Sequence, residues 1–250
     1  MTKWRIIDLT ANSAAINMAL DEAISDAVRQ KESLPTIRFY KWLPSAVSIG
    51  YFQSLKDEVD VELCRSLGVE FVRRRTGGGA VYHDSNGELT YSVIAPESLF
   101  PAGITESYHA ICGWAVDALK KVGISSEFKP INDIIANGKK ISGNAQTRRE
   151  GVLLQHGTIL YKLDVAKMFS LLKVPKEKIS DKFIQDVKQR VTSVTDINPE
   201  ISESQLKDAL IAAFTAGKEF EPGSVTEKEK AGALKLAKSR YGSDEWNFMR

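Results

Sequence analysis

Three arginines run into three glycines, Arg73-Arg74-Arg75-Thr76-Gly77-Gly78-Gly79, and the next element is a strand, not a helix. No other stretch constrains the fold so tightly. Glycines set between a strand and a helix make a phosphate cradle at the helix N-terminus, the device of P-loop and dinucleotide-binding folds. Here Val69-Glu70-Phe71-Val72-Arg73 alternates as a strand, and Ala80-Val81-Tyr82-His83 leads through Asp84-Ser85-Asn86-Gly87 into another, Glu88 to Ile94. Both nucleotide folds are thereby excluded. The glycines form a strand-to-strand bend whose bare backbone a ligand can approach, and arginine supplies charged planar forks for phosphate or carboxylate.

A second stretch predicts its own geometry. Asn137-Gly138 lies between β-prone flanks, the mark of a two-residue hairpin. With that turn, Ala136 opposes Lys139, Ile135 opposes Lys140, Ile134 opposes Ile141 and Asp133 opposes Ser142. Asp133, Ile135, Lys140 and Ser142 then share one face, and Ile134, Ala136, Lys139 and Ile141 the other, core-facing one. Lys140 is held mid-strand beside a carboxylate and a hydroxyl. Together with the glycine bend it points to a site for an anionic, phosphate-bearing ligand.

The remaining pattern is mixed. Trp4 to Leu9, Thr36 to Tyr40, Ala46 to Gly50 and Gly151 to Tyr161 read as strands. Ile16, Leu20, Ala23, Ile24, Ala27 and Val28 recur at helical spacing after a cap at Asn12 or Ser13, and Ser107 to Val122 reads as a helix ending at Gly123. After Asp164, itself a cap, the chain turns mostly helical, with capping boxes at Ser202-Glu203-Ser204-Gln205 and Thr226-Glu227-Lys228-Glu229. Glu221-Pro222-Gly223-Ser224 reads as a turn. The expectation is a single α+β domain over 1–250, with mixed and antiparallel β-sheets flanked by α-helices.

Net charge is only +2, so any basic surface is local. The arginine cluster is short and no recognition helix stands out, so no nucleic-acid partner is expected. Apolar runs fall far short of the ~20 residues that cross a bilayer, and no signal peptide is visible, which predicts a cytoplasmic protein without a membrane role. Cys64 and Cys112 lack CxxC partners and read as buried thiols; with three scattered histidines they make no zinc site.

Several motifs, in order, resemble the lipoate–protein ligase A family, within the catalytic-domain superfamily shared with biotin ligases and octanoyltransferases. Arg73 to Asp84 is similar to that family's arginine–triglycine–His-Asp motif. Asn132-Asp133-Ile134 with Gly138-Lys139-Lys140-Ile141-Ser142-Gly143 is similar to its Asn-Asp and Lys-Ile-Ser-Gly motif, and Gln155-His156-Gly157-Thr158 to its His-Gly-Thr strand. Arg190-Val191-Thr192-Ser193-Val194-Thr195 and Glu245-Trp246-Asn247 also correspond. The resemblance implies a biotin/lipoate ligase-like catalytic domain that activates lipoate with ATP and Mg²⁺ to lipoyl-AMP and transfers it to a lysine of a lipoyl domain. Such acceptors are the E2 of 2-oxoacid dehydrogenases and the glycine cleavage H protein.

In those terms Lys140 is the catalytic residue, bridging carboxylate and α-phosphate, and Arg74 touches ATP phosphates. Gly77, Gly78, Gly79, Ala80, Val81 and Tyr82 line the nucleotide and lipoyl pocket, with Ser142 and Gly143 beside Lys140. His83 and Asp84 support the loop, and Asp133 takes metal or adenylate contacts. His83 reads equally as a loop brace or a direct contact, His156 as a packed strand histidine, His109 as structural, and Arg73 and Arg75 as surface ion pairs. The chain resembles the archaeal-type catalytic subunit, without a C-terminal accessory domain, and a separate small subunit is expected to supply that part. Two alternatives remain open: an octanoyl or lipoyl transferase of the same fold, whose expected cysteine near Asn132 is missing, and a non-catalytic binder of lipoate or nucleotide.

Overall fold

The computed structural model describes residues 2–173 and 189–250. The chain opens with β1 (Lys3–Asn12), α1 (Ala14–Arg29), β2 (Thr36–Trp42) and β3 (Ala46–Ile49). Two short helices, α2 (Leu55–Glu58) and α3 (Val61–Ser66), precede β4 (Glu70–Arg73) and β5 (Val81–His83). Then come β6 (Glu88–Pro96), α4 (Ile104–Lys121), β7 (Ser126–Lys129), β8 (Asp133–Ala136), β9 (Lys139–Arg149) and β10 (Val152–Leu160). The last third holds α5 (Val165–Leu171), α6 (Val194–Ile197), α7 (Glu203–Thr215), β11 (Glu219–Gly223), α8 (Glu227–Leu236) and α9 (Asp244–Asn247). Caps fall where the sequence puts them. Ser13 receives the Ile16 N–H, Asp164 the Lys167 N–H, and both expected capping boxes close.

Eight strands form one mixed sheet in the order β11-β1-β2-β6-β10-β9-β8-β7, and β4-β3-β5 form a second. β1 runs parallel to both β11 and β2; from β2 to β7 each neighbour is antiparallel. Strand alternation divides the core. Ile37 and Phe39 of β2 point to α4 and α7, meeting Ile111, Leu119, Leu210 and Phe214. Tyr40 and Trp42 point the opposite way, to Met18 and Ala19 of α1 and to Ala46 and Val72 of the small sheet. The small sheet therefore lies over the α1 side of the large one. Its β4-to-β5 connection, the glycine bend, is held above the sheet face.

Two buried ion pairs tie the layers. Arg38 donates to Asp21 at 2.7 Å, joining β2 to α1, and Arg5 binds Glu229 at 2.6 and 2.9 Å, joining β1 to α8. Removing one partner of such a pair leaves an uncompensated buried charge, at about 3–5 kcal/mol.

The hairpin turn forms as expected, with Asn137 (φ 50°) and Gly138 (φ 73°) both left-handed. Its register does not stay as expected. Ile135 opposes Lys140, but Ile134 opposes Ser142 and Asp133 opposes Gly143, so Ile141 is the extra residue of a β-bulge. Asp133, Lys140 and Ser142 no longer share one face; Ser142 is buried with Ile134. Beyond the bulge, the far edge of Lys140 is taken by another segment: its N–H donates to the Arg190 carbonyl (2.8 Å) and its carbonyl accepts from the Thr192 N–H (2.9 Å). The expected turn at Glu221-Pro222-Gly223-Ser224 is also corrected. Glu219–Gly223 pairs with β1 as an edge strand, the place in a sheet where a proline without an N–H is tolerated.

Candidate active site

Between the glycine bend and the large sheet lies a cavity of ≈ 300 Å³. Its floor takes one face of four neighbouring strands: Trp42 of β2, Thr90 of β6, His156 and Thr158 of β10, and Gly143 and Ala145 of β9. Its roof is the bend and β5, from Gly78 to His83. The two motifs that the sequence singled out thus meet on one cavity. Arg74, Gly78, Gly79, Ala80, Val81, Tyr82, His83, Lys140 and Gly143 line it; Gly77, Asp84, Asp133 and Ser142 do not form its wall. Asp84 instead accepts the Tyr82 hydroxyl (3.0 Å) and the Asn86 N–H (2.9 Å), and Ser142 is wholly buried.

Lys140 is partly exposed at the cavity edge and pairs with Asp133 at 2.7 Å. Its aliphatic end lies over the bare backbone of Gly143, where a Cβ would come within 3.0 Å of Nζ. The bend is equally tight on its outer side: a Cβ on Gly50 would stand 2.1 Å from the Gly78 carbonyl oxygen. Gly78 itself has φ +95°, which favours glycine.

Arg74 is buried, and each of its five N–H groups has an acceptor inside the protein. Nε meets Thr76 Oγ1 (3.2 Å), Nη1 meets the Ser48 carbonyl and Oγ (both 3.1 Å), and Nη2 meets the carbonyls of Gly77 (2.8 Å) and Gly79 (2.7 Å). Burial lowers its pKa to about 10. Arg73 departs from the expected surface ion pair. It is fully buried and donates to the carbonyls of Gly50, Tyr51, Gln53, Trp246 and Asn247, stitching the C-terminal turn under the bend. Arg75 does form an ion pair, with Glu22 at 3.2 Å, but a largely buried one and not the surface pair expected.

Both cavity histidines are braced. His83 stacks on Trp42 (centroids 3.9 Å apart), with Nε2 2.8 Å from Ser48 Oγ and Nδ1 2.6 Å from Glu88 Oε1. His156 has Nε2 2.8 Å from Thr76 Oγ1 and Nδ1 3.3 Å from Asp21 Oδ2. Burial holds His156 below its ordinary pKa, against the pull of Asp21. Burial, the largest single influence, would raise the Asp21 carboxyl, but Arg38, His156 and the Ser92 hydroxyl together outweigh it and the net shift is downward. His109 packs edge-on against Phe128.

Neither cysteine reaches the cavity. Burial raises the Cys64 thiol to about 11 and the Cys112 thiol to about 12. Among the described residues no group of three or more His, Cys, Asp or Glu could cage a metal ion. A lone carboxylate such as Asp133 suits Mg²⁺ only when phosphate oxygens and water supply its other ligands.

Several wall residues were not singled out in the sequence. Trp42, Met18, Met168 and Leu172 give the apolar part of the cavity, and Asn132 and Asn144 a polar corner. Asn144 receives the Tyr91 hydroxyl at 2.5 Å and donates to the Asn132 carbonyl at 2.9 Å, and Gly157 is bare where Asn144 crosses it. Of these, only Asn132, in the Asn132-Asp133-Ile134 motif, and Asn144, within Gly143-Asn144-Ala145-Gln146, carried a usable sequence signal.

Residues 13–215 match the family described as the lipoyl protein ligase A/B catalytic domain. An octanoyltransferase LipM of Brevibacillus brevis is 37% identical, the match covering 100% of this chain and 100% of that one. Among solved structures, a chain of the bi-partite lipoate protein ligase of Thermoplasma acidophilum superposes with a TM-score of 0.88 at 33% identity, over 99% of this chain and 97% of that one. A lipoate-protein ligase A bound with ATP superposes with a TM-score of 0.84 at 31% identity, over 99% of each chain.

Proposed function

Because this chain belongs to the lipoyl protein ligase A/B catalytic domain family, we propose that its cavity holds a lipoyl-type acyl group and passes it to a lysine of an acceptor lipoyl domain. The finer reading is that of an ATP-dependent ligase. The observation that carries it is the pairing of one cavity-edge amine, Lys140, with a cavity wall free of thiols. Without a thiol there is no enzyme-bound thioester, so the acyl group must be activated on the substrate itself.

ATP does that. A carboxylate oxygen attacks the α-phosphorus, pyrophosphate leaves, and the acyl-adenylate forms. The acceptor amine then attacks the carbonyl carbon, AMP departs with the bonding electrons, and the amine loses its proton as the amide closes. Both steps gather negative charge on oxygen, which a fixed ammonium is suited to offset. Lys140 is the group in that position. The bare Gly78 and Gly79 backbone, with Ala80, Val81 and Tyr82, lets the nucleotide and acyl chain lie close; Asp133, with the phosphates, would hold Mg²⁺. Lipoyl domains such as an E2 or an H protein are the acceptors in this reading, and a separate accessory subunit would assist adenylation.

A second reading, octanoyl transfer, is favoured by the names of the curated relatives and by their full-length coverage. With no thiol in the cavity, the acceptor lysine would then attack a carrier-bound octanoyl thioester directly, the C–S bond breaking and the carrier thiol leaving with the proton that the amine gives up. The test is intact-mass analysis of a lipoyl domain after incubation with lipoate, ATP and Mg²⁺, or with an octanoyl carrier thioester alone, each with and without a candidate accessory subunit. Added mass with pyrophosphate release only in the first arm supports the ligase; added mass only in the second supports the transferase. No added mass in any arm refutes both.

A further inference from the structure

Arg74 stands at the junction of two chains of hydrogen bonds with the same order of parts. One runs from Nη1 to Ser48 Oγ (3.1 Å), from Ser48 to His83 Nε2 (2.8 Å), and from His83 Nδ1 to Glu88 Oε1 (2.6 Å). The other runs from Nε to Thr76 Oγ1 (3.2 Å), from Thr76 to His156 Nε2 (2.8 Å), and from His156 Nδ1 to Asp21 Oδ2 (3.3 Å). Each is guanidinium, hydroxyl, imidazole, carboxylate, and every member is buried. Arg74 has no carboxylate within ion-pair distance among the described residues. The relays link it instead to two carboxylates, one on β6 and one on α1. Its other donors hold the carbonyls of Gly77 and Gly79.

We propose that Arg74 acts as the clamp of the glycine bend, and that Ser48 and Thr76, neither of which lines the cavity, are positioning residues that transmit the state of His83 and His156 to it. Donors and acceptors must match along each relay. A carboxylate at Nδ1 requires a proton there, so the neutral imidazole accepts at Nε2. The hydroxyl then donates to Nε2 and keeps its lone pairs for Arg74. A proton arriving at Nε2 converts that nitrogen to a donor. The hydroxyl oxygen then faces two donors, its own proton loses its acceptor, and the grip on Arg74 weakens. At His156 the charged neighbours act on that proton in both directions. His156 faces Asp21, which favours it, and Arg74 and His83, which disfavour it, while burial penalises it most. Arg38 neutralises Asp21 from the far side. His83 faces Glu88, which also accepts the Thr90 hydroxyl at 3.0 Å, and lies flat on Trp42.

This inference concerns the cavity of the proposed acyl transfer, but its test does not need turnover. The Tyr51 N–H donates to the Thr76 carbonyl at 2.9 Å and so reports on the bend. Hydrogen exchange of that amide and of the 76–80 segment is followed in the unliganded chain at pH 7.5 and 5.5, corrected for intrinsic rates, in the parent, Ser48→Ala, Thr76→Val and Thr76→Ser. Each lost hydroxyl is expected to speed exchange about fivefold, the weight of one net hydrogen bond, with Thr76→Ser matching the parent. Acid speeds exchange in the parent, an arm that needs no substitution, and does so less in the two hydroxyl-free variants. Parent-like exchange in Thr76→Val and Ser48→Ala, or equal damage in Thr76→Ser, overturns the proposal. Titration of each protein with lipoate separates the two readings. If lipoate fails to bind the parent while the exchange pattern holds, the relays stand and the proposed acyl ligand falls.

Discussion

Gly50 follows β3 directly beneath the glycine bend, and adding one methyl group there tests whether the bend is as tightly seated as its contacts imply. In Gly50→Ala the new Cβ would meet the Gly78 carbonyl oxygen at 2.1 Å; to reach even 3.0 Å the bend must retreat by 0.9 Å. The obstacle is backbone, not a side chain that can swing away. Arg74 holds Gly77 and Gly79 on either side, so the retreat strains those hydrogen bonds as well. Overpacking of this kind costs about 1–3 kcal/mol, which at this chain length lowers Tm by about 2–12 °C. The bend is also the roof of the cavity, so a shift near 1 Å is expected to cut transfer by about 100-fold. Gly77→Ala is the control. A Cβ there meets nothing within 4 Å, so its Tm should match the parent. Thermal melts and acceptor-mass assays on both variants decide the matter. A Gly50→Ala protein with parental Tm and parental transfer would refute the reasoning.

Lys140→Ala removes a half-exposed pair with Asp133, so stability should change by under about 1 kcal/mol while transfer falls by about 100-fold or more; melts and acceptor mass read both. Since His156 sits below its ordinary value of 6.5, the unfolded chain binds more protons than the native one below that pH. Urea midpoints should therefore fall as pH drops from 7 through 6, and His156→Gln should flatten that slope. Asp21 acts in a separate window: its lowered pKa contributes stability above its ordinary 3.8 that is lost as pH falls further. Cys64 and Cys112 should resist thiol reagents at pH 8 until urea unfolds the chain, and Cys112→Ala should keep its transfer activity; a trapped acyl-thioester at either cysteine would count against the ligase reading.

The glycine bend and the Lys140 hairpin were legible because each is a local decision. Missing helix periodicity after Gly79 and an Asn-Gly turn are settled within a few residues. Their meeting on one cavity followed from a motif pattern. The bulge at Ile141 was not legible, because the residue beside it, Lys140, also bridges to Val191, about fifty residues downstream, a contact the hairpin's own sequence does not reveal. Arg73 looked like surface charge because three adjacent arginines suggest solvent. Its burial depends on five carbonyls from two distant turns, none of which leaves a mark in composition. The apolar wall escaped for a similar reason. Trp42 lies just past the strand read at Thr36 to Tyr40, and it gains its place only when His83, from another sheet, stacks on it.

The first strand of the molecule has consequences for how it is made. β1 lies between β2, completed early in synthesis, and β11, which emerges only after residue 219. On the ribosome, one edge of β1 must therefore stay unpaired through most of translation, with the Arg5 guanidinium waiting for Glu229. Nascent chains stalled short of that point would display a ready template for foreign strands. That edge closes only when Glu219–Gly223 docks on β1 and Glu229 takes up the waiting guanidinium.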